Sequence, residues 1–315
     1  MEKIAMGPSG IRGSRLAVGC MGLGGGWNRA PLGPAELGQA RALVEAALEL
    51  GIDVFDHADI YTLGKAEAVF GQLLSETPSL RDRIVLQSKC GIRLPGEGGV
   101  ATGHYDLSEA HILASVDASL ARLRTGHLDL LLLHRPDPLM EPDEIAGAFR
   151  RLREAGKVRA LGVSNMDAAR IRFLQASLDQ PLAVDQLELS LVRDAFVESV
   201  ATFNDRSRDR AGWFGDGTVE ECRARGIRLQ AWSPLAGGRW DGAFGTAVAA
   251  SAQAHDVPPE AILVAWLLRH PAGIQPVLGT TRPERLRACA RGLEVRLERE
   301  EWTALWVAAR GGPLP

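Results

Sequence analysis

Cysteine is scarce in this 315-residue chain: Cys20, Cys90, Cys222 and Cys289 stand far apart, with no CxxC pair and no zinc-ligand spacing. That excludes a disulfide scaffold and a structural zinc fold, and fits free thiols buried in a reducing compartment. A redox pairing of Cys20 with Cys90 is the alternative to the usual role of scattered thiols as small core residues. Long hydrophobic runs are missing as well. The longest unbroken leucine stretch, 130–133, falls far below the ~20 residues of a membrane span, and residues 1–8 have no apolar signal core. A cytoplasmic protein is expected, with no membrane partner. Neither sign of charge is gathered into a block: 36 basic and 39 acidic residues give a formal charge of -3. This excludes a polyelectrolyte tail and argues against nucleic acid as a partner. Low-complexity tracts are absent too. What is present is an ordinary globular composition, 46% hydrophobic and 24% charged, with room for one large domain over 1–315 and compatible with a homo-oligomer.

Short β-rich runs alternate with longer amphipathic segments along almost the whole length. Strands are expected at 16–20, 52–55, 84–88, 128–133, 158–163, 183–187, 227–231 and 274–278. Helices are expected at 34–50, 65–74, 108–124, 142–155, 167–177, 218–225, 259–269 and 283–291, with a further C-terminal helix at 298–309 set against the barrel wall. Ser108 and Asp167 have the chemistry of N-caps, and Gly51, Gly126, Gly156 and Gly226 fit helix ends just before strands. Near-continuous apolar strands such as Leu-Asp-Leu-Leu-Leu-Leu fit a parallel sheet covered on both faces. Eight βα units in this length predict an α/β fold, a (β/α)8 TIM barrel. The doubly wound alternative has only Gly22 to Gly26 in its favour, and that turn lacks the GxGxxG spacing. Two long loops, 90–107 and 192–217, interrupt the pattern. The second carries Phe203, Trp213 and Phe214 and reads as a lid or clamp, in which deletion of 205–211 is expected to alter cofactor release or substrate KM. With Trp27 and Trp240, these aromatics are candidates for a substrate pocket or for plain loop anchors.

Barrel active sites lie at the C-terminal strand ends, so polar residues that terminate apolar strands are the informative ones. Here they are Asp56-His57-Ala58-Asp59-Ile60-Tyr61, Ser88-Lys89-Cys90, His134-Arg135, Ser164-Asn165 and Asp185-Gln186. Singly, each has a bland reading: a strand-end cap, a snorkelling lysine, a satisfied core histidine. Jointly, a carboxylate, an ammonium, a phenol and an imidazole converge from neighbouring strands. A lysine held charged by an aspartate is expected to favour the phenolate of Tyr61 and draw its pKa below the usual ~10, making it a usable acid and base. His134 is then placed to donate to, or orient, a carbonyl oxygen that gains negative charge. The rival is a metal-dependent hydrolase with His57, Asp59 and His134 as ligands. It lacks an HxH pair and leaves the lysine and tyrosine idle, so no metal is expected.

The run Gly51-Ile52-Asp53-Val54-Phe55-Asp56-His57-Ala58-Asp59-Ile60-Tyr61, with Gly64 and Glu67, closely resembles the aldo-keto reductase family. The likeness continues in order through Ser88-Lys89, 129–134, 162–165, Gln186 and 231–238, and is nearest the bacterial general aldo/keto oxidoreductases. The resemblance implies a tetrad of Asp56, Tyr61, Lys89 and His134. It implies an extended NADPH held at the nicotinamide by Ser164, Asn165 and Gln186 with Trp232 stacked on the ring, and flanked by Gly19, Cys20, Met21, Ser233, Leu235 and Gly237. Thr280, Arg282 and Arg285 fall where the family grips the adenosine 2'-phosphate, although Gly279 stands where a lysine is common and Ala288-Cys289 replace a Glu-Asn pair. The implied activity is reduction of an aldehyde or ketone, or the reverse, on a small molecule, with NADP preferred and NAD the alternative. A nicotinamide-binding redox-sensing regulatory subunit with little turnover is the rival reading.

Overall fold

The computed structural model describes residues 1–96, 98–201, 217–238 and 240–314. The chain opens with an antiparallel hairpin, β1 (Lys3–Ala5) and β2 (Arg12–Ser14). Met6, in its connection, is fully buried beside Ala17, Val54, Leu130 and Val277, so the hairpin closes the N-terminal end of the sheet that follows. Gly7 makes this closure: its φ is +61°, and a Cβ there would sit 2.0 Å from the Ala183 carbonyl oxygen.

Barrel strands β3 (Ala17–Gly19), β4 (Val54–Asp56) and β5 (Val85–Cys90) precede a small hairpin, β6 (Ile92–Arg93) and β7 (His104–Tyr105). Then come β8 (Leu128–Leu133), β9 (Val158–Ser164), β10 (Val184–Glu188), β11 (Arg228–Trp232) and β12 (Gln275–Leu278). The eight barrel strands pair in parallel in chain order, and β12 returns to β3 to close the cylinder. Closure rules out the open doubly wound sheet. The expected strands correspond to these eight, mostly displaced by a residue or two.

Helices α1 (Pro34–Glu49), α2 (Lys65–Glu76), α3 (Glu109–Leu123), α4 (Pro142–Glu154) and α5 (Ala168–Gln175) alternate with the first strands. The side chains of Ser108 and Asp167 cap α3 and α5 as expected, accepting from the amides of His111 and Arg170. Gly51, Gly156 and Gly226 take positive φ at helix ends, but Gly126 does not; α3 ends instead on Arg124 at φ +50°. Past β10 lie α6 (Ala195–Ala201) and α7 (Thr218–Arg225), so part of the expected 192–217 loop is helical. Residues 202–216, with Phe203, Trp213, Phe214 and the 205–211 segment, lie outside the described residues.

Two helices, α8 (Gly242–Ala254) and α9 (Pro259–Arg269), follow β11, and α10 (Pro283–Ala290) follows β12. The final helix, α11 (Arg299–Arg310), packs on α8, while α9 lies against β12. Trp302 of α11 stacks on Trp266 of α9 with centroids 4.8 Å apart, and each indole donates to the other's backbone carbonyl. Arg310 forms a buried ion pair with Glu198 of α6 at 2.6 Å, and Trp306 donates to Asp194. The C-terminal helix thus anchors the start of the segment that leaves β10. Among the described residues no helix is long and apolar enough to cross a membrane.

Candidate active site

The end of β4 carries Asp56, β5 carries Lys89, and both are almost completely buried. Neither could be sealed alone, since an unpaired buried charge costs several kcal/mol. Lys89 Nζ lies 2.7 Å from both Asp56 carboxylate oxygens, and donates to the His57 carbonyl at 3.0 Å and to the Tyr61 hydroxyl at 3.0 Å. Lys89 therefore joins Asp56 to Tyr61. Tyr61 opens a short 3-10 turn in which Thr62 and Leu63 adopt positive φ, and the His134 ring stands edge-on to the phenol at 5.9 Å. Further non-glycine positive-φ residues, Asn165, Ser233 and Ala236, follow β9 and β11 at the same end of the barrel. Such conformations cost about 1–3 kcal/mol each and concentrate at functional sites.

Burial raises the Tyr61 phenol above its ordinary pKa and outweighs the opposing pull of Lys89. The sign is opposite to the one expected from the neighbouring charge alone. Burial disfavours the phenolate by more than one ammonium favours it, since Lys89 is largely neutralised by Asp56. Lys89 loses by burial but gains more from Asp56 and Tyr61, so its pKa is raised. His134 is pushed well below the usual imidazole value by burial, Lys89 and Arg135, and its buried Nδ1 has no hydrogen-bond partner among the described residues. At neutral pH the site therefore holds a protonated phenol, an ammonium and a neutral imidazole.

Ser164 and Asn165 end β9 and begin its loop. Ser164 Oγ donates to the Gln186 carbonyl at 2.8 Å, while Asn165 Nδ2 donates to the His134 carbonyl at 3.2 Å and to Ser164 Oγ at 2.8 Å. Trp232 ends β11 and donates from its indole to Asn165 Oδ1 at 3.1 Å, with the Arg135 guanidinium 5.8 Å from its ring centroid. These residues form one polar arc beside Tyr61 and His134. Gly19 and Cys20 are buried, and the Cys20 amide donates to the Asp56 carbonyl, whereas Met21 is exposed. Ser233 and Gly237 are exposed and Leu235 is half-buried; its carbonyl accepts from the Trp240 indole at 3.0 Å. Arg282 caps the N-terminus of α10, its amide donating to Thr280 Oγ1, and no carboxylate pairs with it among the described residues. Arg285, one turn on, is held only loosely by Glu260 at 3.9 Å. A helix N-terminus with one loosely paired guanidinium and another with no carboxylate partner among the described residues suits a phosphate.

Some polar strand-end residues belong to other layers. Asp185 faces away from the barrel interior toward Cys222 of α7, at 4.0 Å, and burial drives its pKa well up. His57 packs edge-on against Phe70 at 4.7 Å, and burial and Lys89 hold its pKa down to about 3. Among the described residues no three His, Cys, Asp or Glu side chains are gathered as a metal site. Burial raises both the Cys20 and Cys90 thiols well above their usual range, which leaves them poor redox nucleophiles. Sequence reasoning missed a buried glutamine layer, Gln87, Gln230 and Gln275, which adjoins Asp56 and Gln186. Its one sequence signal is that Gln87 lies two residues before Lys89, on the same strand face.

A closed parallel barrel with a buried carboxylate, ammonium, phenol and imidazole at the strand ends defines a (β/α)8-barrel oxidoreductase. The Aldo/keto reductase family model matches residues 15–308, and the chain belongs to that family. It is 37% identical to the 6-dehydroglucose reductase of Agrobacterium fabrum, over 99% of both chains. It is 36% identical to the oxidoreductase YdhF of Escherichia coli, over 100% of both. The crystal structure of the thermostable aldo-keto reductase Tm1743 with the inhibitor epalrestat superposes with a TM-score of 0.78 at 25% identity, covering 98% of this chain and 100% of that one. The chemistry is carbonyl reduction, and no observation favours the regulatory alternative.

Proposed function

We propose that the whole chain, 1–315, acts as one NADP-dependent reductase domain in the cytoplasm, and that Tyr61 delivers the proton to an aldehyde or ketone oxygen. The observation that carries this reading is Lys89 Nζ bridging the Asp56 carboxylate and the Tyr61 hydroxyl. Nicotinamide, when bound, supplies the hydride. Tyr61, protonated because burial raises its pKa, meets the developing alkoxide with an acid ready to give up its proton. Lys89 stabilises the phenolate left behind, and Asp56 holds Lys89 in place. His134, neutral, donates a hydrogen bond to the same oxygen without competing for the proton.

Ser164, Asn165 and Gln186 are the carboxamide ligands in this reading, with Trp232 against the ring. The hydrogen bonds Asn165 now makes to His134, Ser164 and Trp232 leave it ordered before any cofactor arrives. Backbone around Gly19, Cys20, Met21, Ser233, Leu235 and Gly237 lines the cofactor's path. Thr280, Arg282 and Arg285 receive the 2'-phosphate. Oxidised sugars of the kind named for the Agrobacterium fabrum relative are the first substrates to test.

Tryptophan fluorescence titration with NADPH and NADH tests the cofactor assignment. NADPH is expected to bind about 10- to 100-fold more tightly, the worth of charge-assisted hydrogen bonds to phosphate, and Arg285→Ala to remove most of that gap. Equal affinities would overturn the phosphate clamp while leaving the enzyme, and no binding of either would overturn the nicotinamide reading.

A further inference from the structure

We propose that Gln230 is a positioning residue for the nicotinamide: it locks the Gln186 amide with its oxygen free toward the barrel mouth, through a buried amide chain anchored at Asp56 and Ser14. This rests on the reading of Gln186 as a carboxamide ligand. Strand register sets the layer. Gln186 of β10, Gln230 of β11 and Gln275 of β12 are successive cross-strand partners, and Gln87 of β5 is the partner of Asp56 on β4. All four glutamines are essentially sealed from solvent.

The amide orientations are set from both ends of the layer. At one end Gln275 Nε2 donates to the Ser14 carbonyl at 2.6 Å, so Gln275 Oε1 turns to Gln230 and accepts from its Nε2 at 2.9 Å. At the other end Gln87 Nε2 donates to Asp56 Oδ1, which as a carboxylate can only accept. Gln87 and Gln230 then pair reciprocally, at 3.0 and 3.1 Å. Gln230 Oε1 thus faces donors, and Gln186 Nε2 supplies the second of them at 2.9 Å. Gln230 accepts twice and donates twice, the full capacity of an amide. Flipping Gln186 would oppose two carbonyl oxygens in a site without water access, so its Oε1 stays available, with no partner among the described residues.

A Gln186 fixed in this way accepts from the carboxamide N–H2 of the cofactor. The same hub touches the Gln87 amide that holds Asp56, so the cofactor-orienting and proton-delivering sides of the site share one rigid element.

The test compares the affinities of NADP and its 3-acetylpyridine analogue, which lacks the carboxamide N–H2, by tryptophan fluorescence. Their ratio within one variant cancels any general loosening of the protein. The wild-type protein is expected to prefer NADP. Gln186→Met and Gln230→Met should each cut that preference by about fivefold, the worth of one hydrogen bond, and the double variant should cut it no further. The proposal is overturned if Gln230→Met keeps the preference while Gln186→Met loses it. A neutron structure of the wild-type protein with NADP decides even if Gln230→Met does not fold: Gln186 Nε2 on Gln230 Oε1 with Gln186 Oε1 on the carboxamide is expected, and the reverse orientation overturns the proposal. If neither Gln186→Met nor Gln230→Met changes the ratio, Gln186 does not hold the carboxamide, and the site assignment fails together with the proposal.

Discussion

Tyr61→Phe is expected to lower kcat for carbonyl reduction by about 10²- to 10⁴-fold, with little change in cofactor affinity or unfolding midpoint. The hydroxyl is the one group removed. Among the described residues its hydrogen-bond partner is Lys89 Nζ, which keeps both Asp56 oxygens and the His57 carbonyl. The pH dependence has a definite sign. Reduction needs the protonated phenol, and burial lifts its pKa above the usual value of about 10. Reduction in the wild type should therefore hold across neutral pH and fall only in the alkaline range, while alcohol oxidation, which needs the phenolate, should rise there. His134, with its pKa far below the imidazole range, adds no titration near neutrality. Steady-state kinetics across pH check both points; a variant with wild-type turnover, or reduction that falls through pH 7, would contradict the role of Tyr61.

Lys89→Met should do more damage, because it costs stability as well as rate. Asp56 and Lys89 side chains are only 3% and 1% exposed, so the variant strands a buried carboxylate with Gln87 as its remaining side-chain donor among the described residues. Breaking a buried ion pair from one side costs about 3–5 kcal/mol. Adding Asp56→Asn to Lys89→Met should recover a large part of this loss, since the stranded charge is gone, while leaving activity abolished. Chemical denaturation of the two variants measures it. A single variant as stable as the wild type would mean that the pair is not sealed as described.

The barrel was legible because strands such as Leu128–Leu133 are buried on both faces and therefore apolar at nearly every position, Asp129 excepted, which separates them from the amphipathic helices between. Elements with weak contrast were not. The hairpin strands are two or three residues long, and α8, Gly-Ala-Phe-Gly-Thr-Ala-Val-Ala-Ala-Ser-Ala-Gln-Ala, consists mainly of small residues with no marked apolar stripe. In the site, Asp56, Lys89 and His134 stood out as polar ends of apolar strands. Gln87, Gln230 and Gln275 did not, because a buried glutamine signals nothing until strand register shows which amides meet. The sign of the Tyr61 shift also needed the structure. Sequence names the neighbouring charge, but only the fold shows that burial outweighs it.

The most direct test of the whole account is transfer of label from NADPH carrying deuterium on the transferred face of C4 to an aldehyde panel that includes oxidised sugars, with the alcohol read by mass spectrometry. Each alcohol formed is expected to carry a single deuterium at the former carbonyl carbon, and Tyr61→Phe to slow its appearance without changing where the label goes. Alcohol formed without label, or no cofactor-dependent conversion across the panel, would contradict it.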